Sequence, residues 1–252
     1  MSPYLTAIRV EVLKLKRTLA LAMCFLAPAI VVTFQVLLWL RRKDGLGADV
    51  EPWLSFLTNV LSMWGLFMLP LTAALVIALV YQAEHAHQGW LRLGALPLPR
   101  WSVPAAKASV ATALLALATL VLLAGCLGGT LLASALRPGI VVDAAPPIAT
   151  MLARTARVFA ASLLVLAIQN AVSLRWPSMV VPLGTGVAGT FVGLFAAGWR
   201  LGPWFPWLMP LHALHGVEDV VARCVTLGSA GGLLVFAATV VLAARRDPGL
   251  RA

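Results

Sequence analysis

Long apolar runs parted by short polar intervals make up most of this chain. With about 20 apolar residues per bilayer crossing as the ruler, the runs over 19–40, 56–81, 110–136, 150–174, 177–199 and 225–244 predict six transmembrane helices. Ahead of them Ile8, Val12, Leu15 and Leu19 recur at helical spacing, while Arg9, Lys14, Lys16 and Arg17 take much of the remaining surface. This predicts an amphipathic helix over 1–18 that lies in the interface with its basic face toward the cytoplasmic leaflet. The fold class is all-α, a polytopic membrane protein, and six crossings put both termini on one side.

Two polar intervals break the pattern. The first, 84–107, reads EHAHQGWLRLGALPLPRWSVPAAK. Gln88-Gly89 should interrupt the arriving helix, and Pro97, Pro99 and Pro104 cannot donate to a continuing ladder, so this interval is expected to turn. Glu84, Arg92, Arg100 and Lys107 are expected to keep it wet. The second, 199–223, carries Trp199, Trp204 and Trp207, residues that favour the interface. It is expected to dip into the outer membrane edge as short helices broken at Pro203, Pro206 and Pro210. No connection is long enough for a folded soluble domain, so 1–252 is expected to form a single membrane domain.

Composition strengthens this picture. With 61% hydrophobic residues, 11% charged and a mean hydropathy of +0.94, the chain exceeds what a soluble domain could bury. Its 19 bases against 9 acids are scattered at the ends of apolar runs, which points to membrane lipid and away from nucleic acid. With the termini, 84–107 and Arg175 placed inside, eleven bases and three acids fall inside and eight bases and six acids outside. Arg41, Arg42 and Lys43 pull against that orientation. Cys24, Cys126 and Cys224 lie at no metal-ligand spacing and read as packing residues. The first apolar run is too long for a signal peptide and should be retained as a span.

Candidate chemistry is sparse. There is no GxxxxGK[ST], no HExxH and no GxSxG, so neither ATP binding by that loop nor catalysis is expected of this chain. Arg154 and Arg157, three apart at the outer end of the fourth span, either snorkel or contact a polar or anionic substrate. Gln35, Asn59, Gln169 and Asn170 lie inside spans, either as interhelical hydrogen bonds or as a translocation path. Gly125/Gly129, Gly189/Gly193 and Gly228/Gly232 have the spacing for close helix packing, within the bundle or in a dimer. His212, His215 and Asp219 would share a helix face and are the weak candidates for a metal site, which is otherwise not expected. His85 and His87, two apart, read as solvated loop residues.

Three stretches together resemble the permease subunit of type-2 ATP-binding-cassette (ABC) exporters, a group that includes drug, polysaccharide and lantibiotic-immunity permeases. VEVLKLKRT over 10–18 is similar to that family's basic amphipathic helix before the first span. Glu84, Gly89 and LGALPLPR over 93–100, followed by Lys107, resemble its loop between spans two and three. The six spans with a broken outer segment before the last match its plan. The sequence departs from the family pattern at His85 and His87, where acidic or small polar residues are more usual.

The resemblance implies that Glu84, Gly89, Arg92, Pro97 and Arg100 couple to a separate ABC ATPase that carries ATP and Mg, with no cofactor in this chain. It also implies a homodimer or heterodimer of permeases in the cytoplasmic membrane. The cargo would be hydrophobic or amphipathic, a peptide, drug or lipid-like molecule as in antibiotic or peptide resistance, passing Arg154, Arg157, Asn59, Gln169 and Asn170. Two other readings compete. An ion-coupled secondary transporter needs a membrane-embedded carboxylate, yet all nine acids fall at or beyond span ends. A membrane assembly or metal-handling factor would rest on His212 and His215.

Overall fold

Among the described residues five helices are long and apolar enough to cross a membrane: Leu19–Arg41, Pro52–Gln82, Ser102–Leu136, Ile148–Arg175 and Glu218–Arg245. The computed structural model of the protein describes residues 2–15, 18–41, 51–85, 99–137, 140, 142 and 144–245, without the side chains of Ala83 and His85. Among the described residues the structure is helical, with no strand. In chain order the helices are α1 (Pro3–Lys14), α2 (Leu19–Arg41), α3 (Pro52–Met63), α4 (Leu69–His85), α5 (Ser102–Leu136), α6 (Ile148–Arg175), α7 (Val180–Ala196), α8 (Met209–His215), α9 (Glu218–Thr226) and α10 (Gly232–Arg245). π-helical turns at Trp64–Met68 and Leu227–Gly231 join α3 to α4 and α9 to α10, so each pair forms one long rod. α7, the helix in the run 177–199, has 17 residues. It therefore rises about 25 Å, less than the hydrocarbon thickness of about 30 Å.

Three spanning helices, starting at Pro52, Ser102 and Glu218, begin earlier than their apolar runs because residues that look like breakers serve as starts. Pro104 does not end the ladder as expected. It lies in the first turn of α5, where a missing N–H costs nothing, and Ser102 Oγ donates to Pro99 O at 2.7 Å just before it. Glu51 caps α3, its Oε2 accepting from Leu54 N at 3.0 Å, with Pro52 following. Glu218 and Asp219 occupy the first turn of α9, where the helix dipole favours them. In the segment 199–223 Pro203, Pro206 and Pro210 likewise open short helices where they were expected to break them. At the far end of α2, Arg137 Nη1 donates to Trp39 O at 3.0 Å and satisfies a last-turn carbonyl.

Of the apolar face expected for α1, Ile8 and Leu15 pack on the core while Val12 is exposed. Its protein-facing stripe is Tyr4, Ala7, Ile8, Glu11 and Leu15, packed on α5 and the core, whereas Leu5, Val10, Val12 and Leu13 point outward. Tyr4 fixes that register. Its hydroxyl pairs with Ser109 Oγ at 2.7 Å and its ring stacks on Trp101 at 5.9 Å.

The core lies between α2, α5 and the α3–α4 rod, with Trp39, Phe56, Trp64, Leu115 and Leu122 fully buried. Trp39 meets Phe56 edge-on at 5.0 Å. Around it the outward surfaces of α2, α7 and α10 remain apolar, with Phe25, Ile30, Phe195, Leu233 and Leu234 exposed, as lipid contact requires.

Glycines set the tightest approaches. A Cβ on Gly129 would come 2.9 Å from the Phe56 ring, and one on Gly125 would come 2.9 Å from Val32. At Gly228 and Gly232 the obstruction is backbone, Ala161 Cα at 2.5 Å and Leu163 C at 2.7 Å, so here two helix backbones touch. Gly189 instead makes room for the Trp207 indole from the outer segment. Gly228→Ala should therefore lower stability by about 1–3 kcal/mol. Thermal unfolding in detergent will read this, and Gly128→Ala, which meets nothing within 4 Å, should leave the unfolding temperature unchanged.

Candidate functional site

The end of α4 and the start of α5 flank the interval 86–98, and α1 packs on α5 and reaches α4 through Lys14. α1 presents Glu11 and Lys14 on one face at i, i+3 spacing, α4 presents Tyr81 and Glu84 at the same spacing, and α5 presents Lys107. These side chains form a closed ring of alternating charge. Lys107 Nζ lies 2.7 Å from Glu11 Oε2 and 2.5 Å from Glu84 Oε2, while Lys14 Nζ lies 2.7 Å from Glu11 Oε1 and 2.6 Å from Glu84 Oε1.

The expectation that Glu84 and Lys107 keep the interval wet is thus overturned. Glu84 is 3% exposed and Lys107 0%, because each has a buried partner of opposite charge. Lys107 also donates to Val80 O at 2.8 Å, in the last turn of α4, where a cation complements the helix dipole. Its ammonium sits 5.5 Å from the centre of the Tyr81 ring. Lys14, at the rim, feels two opposed effects. Burial lowers its pKa, but hydrogen bonds and attraction from Glu11 and Glu84 outweigh that and hold it above the ordinary lysine value.

A line of polar contacts leaves this cluster across the bundle. Tyr81 donates to Asn170 Oδ1 at 2.9 Å. Its neighbour Gln169, with the amide turned to satisfy both atoms, donates to Pro182 O at 3.2 Å and accepts from Gly186 N at 3.1 Å. An unbroken α-helix would join those two α7 atoms to each other, so the Gln169 amide bridges a step of the ladder. Gly186 permits this, since a Cβ there would collide with Ala74 and approach Gln169.

Of the expected coupling residues, Glu84 belongs to the charge ring and Arg100 is exposed in the turn before α5, whereas Gly89, Arg92 and Pro97 lie outside the described residues. His87 and the side chain of His85 lie outside them as well.

The expected path residues separate into two groups. Gln169 and Asn170 are buried and bonded as above. About 22 Å away along α6, Arg154 donates to Thr58 Oγ1 at 3.0 Å, and Arg157, one turn further on, is exposed. Asn59, next to Thr58, lines an open cavity of about 660 Å³ together with Gln35, Ser62, Phe34, Phe67 and Leu194. Ser62 Oγ is 2.6 Å from His215 Nε2.

His212, His215 and Asp219 do not share one helix. α8 ends at His215 and Gly216 is extended, with Asp219 on α9. Burial, and then the neighbouring His215, hold His212 below the ordinary histidine pKa. Among the described residues no group of three His, Cys, Asp or Glu is placed to hold a metal ion.

Glu11, Lys14 and Lys107 were missed as site residues because each has an innocent local reading: an acid before a span, a basic helix face, a loop cation. The available signal was that an apolar chain with nine acids places one of them at i, i+3 to a lysine and another opposite a lysine across a turn. Lys107→Met should cost about 3–5 kcal/mol, because it strands carboxylates in a buried site. Adding Glu84→Gln should recover part of the loss. Unfolding temperatures of the single and double variants decide it, and strict additivity would speak against the ring.

No curated protein matches the chain. The family model described as ABC-2 family transporter protein matches residues 7–193, from within α1 to within α7, and so takes in the charge ring, the 86–98 interval and the Gln169 bridge. The chain is therefore a multi-pass membrane protein that belongs to the ABC-2 transporter family, as a permease of that type.

Proposed function

We propose that the protein is the membrane subunit of an ATP-driven exporter, a single permease domain over 1–252, and that residues 86–98 dock on a separate ABC ATPase carrying ATP and Mg. The observation that carries this reading is the charge ring: both shoulders of the interval, Glu84 and Lys107, are bound to each other and to α1. A push on the interval then reaches α1, α4 and α5 together. The Tyr81–Asn170 and Gln169 contacts extend the linkage to α6 and α7. Family membership supports the ATPase partner, and the absence of a phosphate-cradling loop from the sequence agrees with it.

In this reading Gly89, Arg92, Pro97 and Arg100 contact the ATPase, while Glu84 transmits from behind. α7 completes six crossings, both termini and the interval face the cytoplasm, and α1 rests in the inner leaflet through Leu5, Val12 and Leu13. Two such permeases, alike or different, pair in the cytoplasmic membrane. The cargo is hydrophobic or amphipathic. The cavity at Gln35, Asn59 and Ser62, apolar with a few polar groups and with Arg154 nearby, has the character of a site for it.

The experiment expresses the chain with the genes that flank it. An ATPase should co-purify, and Arg92→Glu should abolish both retention and stimulation of ATP hydrolysis without lowering the permease unfolding temperature. Glu84→Gln should lower that temperature and weaken stimulation together. A chain that retains no ATPase, or a charge-reversed interval that stimulates normally, defeats the proposal.

A further inference from the structure

A second recess lies between α6 and α10. Its volume is about 360 Å³, its walls include Ile168, Val172, Val235 and Leu242, and it ends at Arg175 and Trp176. The two helices run parallel. Gly228 meets Ala161 and Gly232 meets Leu163, and the groove follows where residues 168–176 lie beside 235–243. The hydroxyl of Thr239, the polar side chain on the α10 wall, donates to Val235 O at 2.7 Å within its own helix, so the groove interior offers an occupant mainly hydrocarbon.

The mouth has the opposite character. Arg175 is exposed, its guanidinium 5.7 Å from the Trp176 ring, and no carboxylate pairs with it among the described residues. Arg245 lies three residues beyond Leu242, on the same helix face, and is also exposed with no ion pair among the described residues. Both arginines are the last residues of apolar spanning helices, which puts them at headgroup depth. Trp176 also lines a small recess with Tyr81 and Gln82, so this mouth opens at the same end of the bundle as the charge ring.

Two exposed arginines with no carboxylate paired to either among the described residues, at the end of a mainly apolar groove, match one kind of molecule, with a phosphate at one end and an alkyl chain below it. From this juxtaposition we propose that the α6–α10 groove is a binding site for an anionic phospholipid, its phosphate on Arg175 and Arg245 and one acyl chain between Val172 and Leu242. An anionic headgroup is favoured over a zwitterionic one because the latter brings its own cation to a site that already holds two. A guanidinium supplies paired donors in the fork geometry that phosphate oxygens accept.

Full-length protein in a neutral detergent is titrated with phosphatidylglycerol and with phosphatidylcholine of identical chains, and binding is followed by native mass spectrometry and by unfolding temperature. Phosphatidylglycerol should be retained and should raise the unfolding temperature, and phosphatidylcholine should do neither to a comparable degree. Arg175→Gln should weaken phosphatidylglycerol binding about tenfold, the loss expected for charge-assisted hydrogen bonds. Arg200→Gln, an exposed arginine after α7, should leave it unchanged. Ala171→Phe, which fills the groove wall, should weaken binding of both lipids with Arg175 intact. Equal response to the two lipids overturns the headgroup assignment without needing any variant. Unaltered binding in Arg175→Gln, or a stable protein dimer that Ala171→Phe dissociates while lipid binding persists, would show the groove to be covered by something else.

Discussion

Burying an ammonium in a membrane protein is among the least favourable things a helix bundle can do, and the arrangement around Lys107 follows from that cost. The side chain is fully enclosed, so its charge must be met by oxygens brought to it, and they come from three directions: Glu11 on α1, Glu84 at the end of α4 and the Val80 carbonyl. Two carboxylates against one lysine would leave a net charge of the other sign, and Lys14 cancels it. Removing any member leaves the others in a medium that will not solvate them. That requirement ties an N-terminal helix, which has little apolar grip of its own, to the paired ends of α4 and α5.

The rest of the bundle is held by contacts of different chemistry. Toward the other end, the interior is aromatic and aliphatic, Trp39 on Phe56 with leucines around them, and interhelical spacing is set by glycines at 125 and 129. At the α6–α10 crossing backbone meets backbone at Gly228 and Gly232. A polar route joins these regimes through Tyr81, Asn170 and Gln169, and it reaches α7 at the step of the ladder between Pro182 and Gly186. The charge ring is thereby connected, through α6, to a helix whose backbone Gln169 also bonds.

Much of this was legible from residue order, but unevenly. The C-terminal ends of the spans fell within a residue or two of the apolar runs, at Arg41, Leu136 and Arg175, because a basic residue or a loss of hydrophobicity marks them directly. The N-terminal ends were late by four to eight residues at Pro52, Ser102 and Glu218. Proline and acidic residues are polar punctuation to a hydropathy reading, yet they are favoured first-turn residues. The apolar face of α1 was read only in part, Ile8 and Leu15 packing on the core and Val12 not, because hydrophobic spacing does not say what covers each position. Here Val12 and Leu13 point out of the bundle, and protein covers Glu11. The site was half legible: the interval and Glu84 stood out as a polar interruption, but Lys107 and Glu11 are 96 positions apart, and only the fold could make them partners.

The seat of Trp207 against Gly189 has a consequence for how such a chain can change. The indole occupies the space where any other residue at 189 would place its first carbon. Substitutions at these two positions are thus ordered in time: a lineage must first shrink the tryptophan, at the expense of an unfilled pocket beneath the outer segment, before position 189 becomes free to vary. Among descendants the pair should drift as a unit, while Gly184, with open space around it, can be replaced at any step.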